Sequence, residues 1–334
     1  MTSHVDPALL PTFADIEEAA RHIGAACIVT PLLESPVIND RIGGRLLVKA
    51  EGIQRTGSFK MRGAYNRMRL LTADERARGV VAYSSGNHGQ AVAACARLLG
   101  TTATIVMPAD VPRTKVDKTR AWGAEIVFYD RQKDDRVAIG KRLAAERGLV
   151  LVPPFEDRYV MAGAGTVALE TVQQARAAGA TLDAMIACCS GGGLAAGTGL
   201  VMRTLVPAAD VFAAEPVGFD DTARSLAAGE RVSNTPGLTS ICDSVLAPMP
   251  GELTFEVNRV HLTGALAVSD TEVIDAMRTA FRDLGVVAEP GGSVAMAAVL
   301  SGRYDARGRT VAVTLSGSNV DLDAALRWMA TPAA

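Results

Sequence analysis

Val80-Val81-Ala82-Tyr83-Ser84-Ser85-Gly86-Asn87-His88-Gly89-Gln90 holds a strand, a turn and a helix start in one continuous segment. The apolar run through Tyr83 reads as a strand. The alanine-rich pattern from Gln90 to Leu99 reads as a helix stopped by Gly100. Between them lies a polar, glycine-broken loop. Backbone N–H groups at such a helix start have no partner inside the helix and point at whatever lies above it, a geometry that suits an anion. An ordinary Ser or Asn N-cap would use the same residues and is compatible with that role.

The alternation continues outward. Thr104–Met107 is the next strand, closed by Pro108, and a helix is expected over 114–122. A strand follows over 125–129, a helix over 136–146 and a strand over 149–152. After Pro153-Pro154 a long helix is expected from about Gly165 to Ala178, then a buried strand over 184–189. Gly191-Gly192-Gly193 opens a helix over 195–205, and 211–214 is a strand. The helix over 271–284 takes Asp270 as its N-cap, and Val311–Leu315 is the last strand, leading into a helix over 321–329. Residues 230–265, rich in Pro, Gly and Thr, give no clear pattern. Short β-rich runs alternating with helices predict an α/β protein built on mostly parallel, twisted sheets.

Composition narrows the function classes. The 334 residues suggest roughly two domains. With 34 basic and 36 acidic residues, the net charge of −2 gives no electrostatic case for nucleic acid or an anionic membrane. No apolar run is long enough to span a bilayer, and Met1 to Pro11 lacks the pattern of a signal peptide. Cys27, Cys95, Cys188, Cys189 and Cys242 are scattered without a Cys-x-x-Cys pair, which argues against a disulfide framework or zinc and suits a reducing cytoplasm. Cys188 and Cys189 read as small core residues.

Chemistry concentrates at Thr56-Gly57-Ser58-Phe59-Lys60-Met61-Arg62-Gly63-Ala64, about two dozen residues before Asn87. A lysine that forms an imine must lose its proton, which burial or a neighbouring cation favours. Arg55 and Arg62 are the nearby cations, and Phe59 an apolar group that helps exclude water. Ser190-Gly191-Gly192-Gly193-Leu194 lies between a strand and a helix, the context of a phosphate cradle. Gly163-Ala164-Gly165-Thr166-Val167-Ala168 matches the dinucleotide fingerprint as a string. It lacks a clear preceding strand and is read as a small-residue helix start.

Together these segments resemble the serine/threonine dehydratase family of fold-type II pyridoxal-phosphate (PLP) enzymes, over about residues 31–323 and with the motifs in family order. The resemblance implies a two-domain fold like that of the tryptophan synthase β chain. Residues 1–81 and 155–334 would form the large PLP-binding domain, and 82–154 a small domain inserted into it. Lys60 would carry the Schiff base and act as base at Cα, with Phe59 and Asn87 beside the ring, Asn87 at its phenolic oxygen. Ser190, Gly191, Gly192, Gly193 and Leu194 would hold the phosphate. Ser190 departs from the glycine that many members carry first. Ser316 would meet the pyridine nitrogen; a neutral hydroxyl leaves the ring a weaker electron sink than a carboxylate would, which favours prompt β-elimination. Ser58, Ser84, Ser85, Gly86 and His88 would bind substrate, and Ser85 matches the second acid/base of serine racemases. Arg136 would stand near the substrate entrance. Glu215, the Phe219 carbonyl and Asp221 have the spacing of the racemase divalent-metal site, for Mg²⁺ or else Mn²⁺ or Ca²⁺.

The implied activity is ammonia-lyase chemistry on a β-hydroxy amino acid, with L-threonine or L-serine as default substrate. The alternatives are 3-hydroxyaspartate or another 3-hydroxy amino acid, serine racemisation, and a non-catalytic PLP-binding protein. Relatives imply a dimer or tetramer. The chain stops soon after its last helix, which implies no regulatory domain.

Overall fold

The structure is a computed structural model that describes residues 5–330 apart from 85, 112 and 131. Helix α1 (Phe13–Ile23) precedes β1 (Leu32–Leu33), α2 (Pro36–Ile42) and β2 (Arg45–Ala50). Then come α3 (Lys60–Met68), α4 (Ala73–Arg78), β3 (Val80–Tyr83), α5 (Asn87–Leu99), β4 (Ala103–Pro108) and α6 (Arg113–Ala121). β5 (Glu125–Tyr129), α7 (Arg136–Arg147), β6 (Val150–Leu151), α8 (Arg158–Ala177), β7 (Ala184–Cys188) and α9 (Gly193–Leu205) follow. The rest is β8 (Asp210–Pro216), α10 (Asp221–Ala228), α11 (Glu252–His261) and β9 (Gly264–Val268). Helices α12 (Asp270–Leu284) and α13 (Pro290–Leu300), β10 (Thr310–Leu315) and α14 (Leu322–Ala330) close the chain.

Two sheets form. One has strand order β1-β2-β10-β7-β8-β9 and is parallel except for the β1–β2 pair; the other, β5-β4-β3-β6, is wholly parallel. Burial on both faces explains the continuous apolar strands such as Val311–Leu315. Parallel sheets collect their functional loops at the carboxyl ends of the strands. Here the segments after β2, β3, β7 and β10 all end at one cleft.

Several sequence expectations change. Helix α8 begins at Arg158, so Gly163-Ala164-Gly165 lies inside a helix and does not start one. The glycines serve close packing: a Cβ on Gly163 would lie 2.6 Å from the Arg62 carbonyl, and one on Gly197 2.5 Å from the Gly165 nitrogen. Helix α12 is capped by Ser269, which with Glu272 forms a reciprocal capping box, and Asp270 is the first helical residue. Residues 230–265 contain α11 and the start of β9. Helix α13 is buried all round, which hides its helical period from the sequence.

Candidate active site

Lys60 is the first residue of α3, whose inner face is held by a buried charge network. Arg62 is fully buried and donates to both oxygens of Glu51 at 2.8 Å and to both of Glu170 at 2.7 and 2.8 Å. Lys49 Nζ donates to Glu170 at 2.7 Å. With two carboxylates committed to it, the Arg62 guanidinium anchors the helix and is not the cation that tunes Lys60. Arg55 is exposed. Burial alone lowers the Lys60 ammonium to about 8, and its Nζ donates to the Pro154 carbonyl at 2.8 Å beside the Phe59 ring.

Two helix ends face this amine. Both α5 and α9 have glycine N-caps, Gly86 and Gly192, without a side-chain cap among the described residues. Helices α1, α4 and α12 all carry capping boxes. Helices α2, α3, α10, α11 and α13 also lack a side-chain cap, but the first residues of α5 and α9 line the cleft, so their N–H groups are available to a ligand there, with the positive end of each helix dipole behind them. At α9 the loop packs too closely on its neighbours for side chains. A Cβ on Gly191 would lie 2.3 Å from the Phe155 ring, and Gly192 sits at φ +96°. Thr254 donates to the Gly191 carbonyl, which fixes the loop. The Ser190 hydroxyl accepts from Ala247 N at 3.2 Å, leaving its own proton to donate.

The cleft between the sheets brings together Phe59, Lys60, Ser84, Gly86, Asn87 and His88 with Arg136, Ser190, the three glycines, Leu194 and Ser316. Ser84 accepts from Gly86 N at 3.2 Å, holding the turn into α5. His88 Nε2 lies 2.9 Å from the Val152 carbonyl. Burial drives the imidazole down to about 3, so it is neutral and donates from Nε2; Nδ1 is an acceptor without a partner among the described residues. A second donor from His88 to substrate, as sequence suggested, is thereby removed. Ser58 is buried beneath the cleft, bridged to Gly317 through the backbone, and does not line it. Ser85 lies outside the described residues.

Sequence reasoning missed Glu289, Asn319, Tyr83, Phe155 and the Lys115–Asp243 ion pair, all lining the same cleft. Asn87 donates from Nδ2 to Glu289 at 2.5 Å and accepts at Oδ1 from Asn319 at 2.8 Å. Burial raises the Glu289 carboxyl to about 7, with the Asn87 donor holding it down. The only sequence signal for Glu289 was a carboxylate ahead of Pro290-Gly291-Gly292. All five cysteines are free and buried. The Cys188 thiol, at the cleft edge, donates to backbone carbonyls and is raised by burial, which makes it unreactive.

Glu215, Phe219 and Asp221 form a second locus at the end of β8, away from the cleft. Glu215 accepts from Thr222 N and Ala223 N at 3.0 and 3.1 Å. Asp221 Oδ1 accepts from Asn234 at 2.6 Å, while its buried Oδ2 has no partner among the described residues. Burial, then mutual repulsion, raises Glu215 to about 8; burial raises Asp221 to about 6. Among the described residues no cluster of three or more acidic, His or Cys side chains forms.

A buried amine in a cleft between two parallel sheets, opposite two uncapped helix ends, defines an enzyme that captures an anionic carbonyl cofactor covalently. A family model described as pyridoxal-phosphate dependent enzyme matches residues 24–317, and the chain belongs to that family. It is 39% identical to the L-threo-3-hydroxyaspartate ammonia-lyase of Saccharomyces cerevisiae over 94% of this chain and 95% of that one. Against the L-threonine ammonia-lyase of Thermotoga maritima the identity is 36%, over 93% of this chain and 76% of that one. The structure of maize serine racemase superposes with a TM-score of 0.89 at 35% identity, covering 96% and 97%. The chain is a fold-type II PLP enzyme, grouped with ammonia-lyases and serine racemases.

Proposed function

We propose that this enzyme is an ammonia-lyase that converts a dicarboxylic β-hydroxy amino acid, 3-hydroxyaspartate, to the 2-oxo acid and ammonia. One observation supports the dicarboxylic substrate over the L-threonine or L-serine default. Arg136 lines the cleft, and its guanidinium makes no ion pair among the described residues. A free guanidinium in a substrate cleft is suited to bidentate capture of a carboxylate.

The residues divide the work. The N–H groups opening α5 bind the α-carboxylate, and Arg136 takes the distal one. When bound, PLP would supply the electron sink for the bond broken at Cα. Lys60, held in a site where burial favours the neutral amine, takes the Cα proton. The N–H groups opening α9 would hold the phosphate. Ser316, Phe59 and Phe155 line the cleft; Ser316 would offer the cofactor a neutral hydroxyl, and the two rings would keep water from the reacting atoms. The β-hydroxyl leaves as water, its departure balanced by the proton that Lys60 takes from Cα, and later addition of water at Cα releases ammonia.

The test is a panel of 3-hydroxyaspartate, L-threonine and L-serine with native enzyme and Arg136→Gln. The variant should lose at least about tenfold in kcat/KM on 3-hydroxyaspartate, some 1.4 kcal/mol, and little on L-serine. Equal losses on all three, or a native preference for L-threonine, would return the assignment to the monocarboxylic substrates. Serine racemisation is the second reading, favoured by the racemase relatives and by Ser85 in the carboxylate loop. Formation of D-serine from L-serine, abolished in Ser85→Ala, would establish it.

Glu215, the Phe219 carbonyl and Asp221 fit a hard cation, which would occupy the side left open by the unpartnered Asp221 oxygen and draw its other ligands from carbonyls and water. Its role would be structural, fixing the turn after β8. Millimolar Mg²⁺ should raise the melting temperature of native enzyme and not of Glu215→Gln; an identical shift in both would place the ion elsewhere. The assembly we propose is a homo-oligomer, dimer or tetramer. Five free buried cysteines suit the reducing cytoplasm that we propose as its location.

A further inference from the structure

The Glu289 carboxyl is built into the cleft by the backbone around it. Its own N–H donates to the Gly317 carbonyl at 3.0 Å. A Cβ on Gly317 would lie 2.2 Å from Glu289 Oε1, and one on Gly292 3.2 Å from Glu289 Cγ. Two glycines thus leave the space that the carboxyl fills. Among the described residues its side-chain partner is Asn87, which lies on the other side of the cleft at the start of α5.

The neighbouring contact fixes direction. With Asn87 Oδ1 taken by Asn319, Glu289 Oε1 meets the amino end of the Asn87 amide and accepts from it. Asn319 presses the same choice from the opposite side, donating from Nδ2 to Asn87 Oδ1 at 2.8 Å while its own Oδ1 accepts from Lys118 at 3.2 Å. Lys118, Asn319, Asn87 and Glu289 therefore form a chain of donors with one sense. The Asn87 amino group has two hydrogens and Glu289 takes one.

Resting on the PLP reading of the cleft, we propose that Glu289 is a positioning residue. It sets the polarity of the Asn87 amide so that the second N–H is presented to the oxygen substituent of the cofactor ring. Glu289 acts through Asn87 and not on the reacting atoms. The residue matters for cofactor binding and for the electronic state of the ring, with turnover following from both.

The experiment is a double-mutant cycle on Glu289→Ala and Asn87→Ala, read by the dissociation constant for PLP and by the pH at which the visible band of the bound cofactor titrates. Each single variant should weaken PLP binding about tenfold and shift that pH, and the double variant should be within about twofold of Asn87→Ala alone. Losses that multiply in the double variant would overturn the proposal, because Glu289 would then act independently. A Glu289→Ala protein with a lowered melting temperature but native PLP affinity and spectrum would reduce Glu289 to a structural role. Glu289→Gln, isosteric and able to present either amide end, guards against a variant that does not fold. It should show the spectral shift with a native melting temperature, and a native spectrum would count against the proposal. Failure of native enzyme to bind PLP, or to be fixed at Lys60 by borohydride, would instead sink the reading of the cleft and is seen before any variant is made.

Discussion

Lys60 is suited to the proposed chemistry because its surroundings keep it uncharged often enough to react. With the ammonium brought down to about 8, about a tenth of the amine is free at pH 7, against less than about a thousandth for an ordinary lysine. The lowering comes from burial, which opposes the charged form. Capture of PLP by apoenzyme should therefore speed up about tenfold per pH unit below pH 8 and level off above it, followed by the growth of visible absorbance. A rate that keeps climbing to pH 10 would show an unperturbed lysine. Lys60, Asn87 and the glycine cradle were legible in sequence because each sits in a local motif. Glu289 was not, since its meaning depends on Asn87, which lies 202 positions away in the chain.

Elements rather than residues set where Lys60 stands. Helix α3 packs on α8, and α8 on α9, at distances that only glycine allows. Gly163→Ala would press a methyl group into the Arg62 carbonyl and the Gly63 Cα, so it should destabilise by about 1–3 kcal/mol. Gly24→Ala, where nothing lies within 4 Å, is the control and should be neutral or stabilising by about 0.4–1 kcal/mol. Urea denaturation of both variants checks the pair, and equal effects would refute the packing argument. The same glycines explain a misreading. Small residues at short spacing look like a nucleotide loop or a helix start in a string, while here they are the contact face of a helix interior. Strands such as β3 and β10 stood out because their apolar runs end in turns. Helix α13 did not, because a helix buried on every side shows no polar face to mark its period.

At the scale of the molecule, the two sheets meet below the cleft through apolar packing and above it through polar contacts. Residues of α1 and α3 such as Ile23, Met61 and Ala64 share a core with Val80 and Ile105 of the four-stranded sheet. Across the cleft run Asn87–Glu289, Asn87–Asn319, Lys118–Asn319 and Lys115–Asp243. The last pair has one half-exposed partner, with Asp243 at 56% side-chain exposure, so its worth to folding is about 0–1 kcal/mol. Lys115→Gln should leave the melting temperature within about 4 °C of native while PLP escapes several-fold faster, measured by transfer to an acceptor apoenzyme. A larger thermal loss with unchanged release would mean that the pair supports the fold and not retention of the cofactor.

The bare ends of α5 and α9 have a further consequence. An N-cap side chain is worth about 1 kcal/mol to its helix, and these two helices forgo it. The cofactor phosphate and the substrate carboxylate would then stand in for the missing caps, and their binding would add to the stability of the fold. Its resistance to heat and proteases should accordingly rise with the fraction of the enzyme that carries cofactor, so that occupancy sets survival as well as activity.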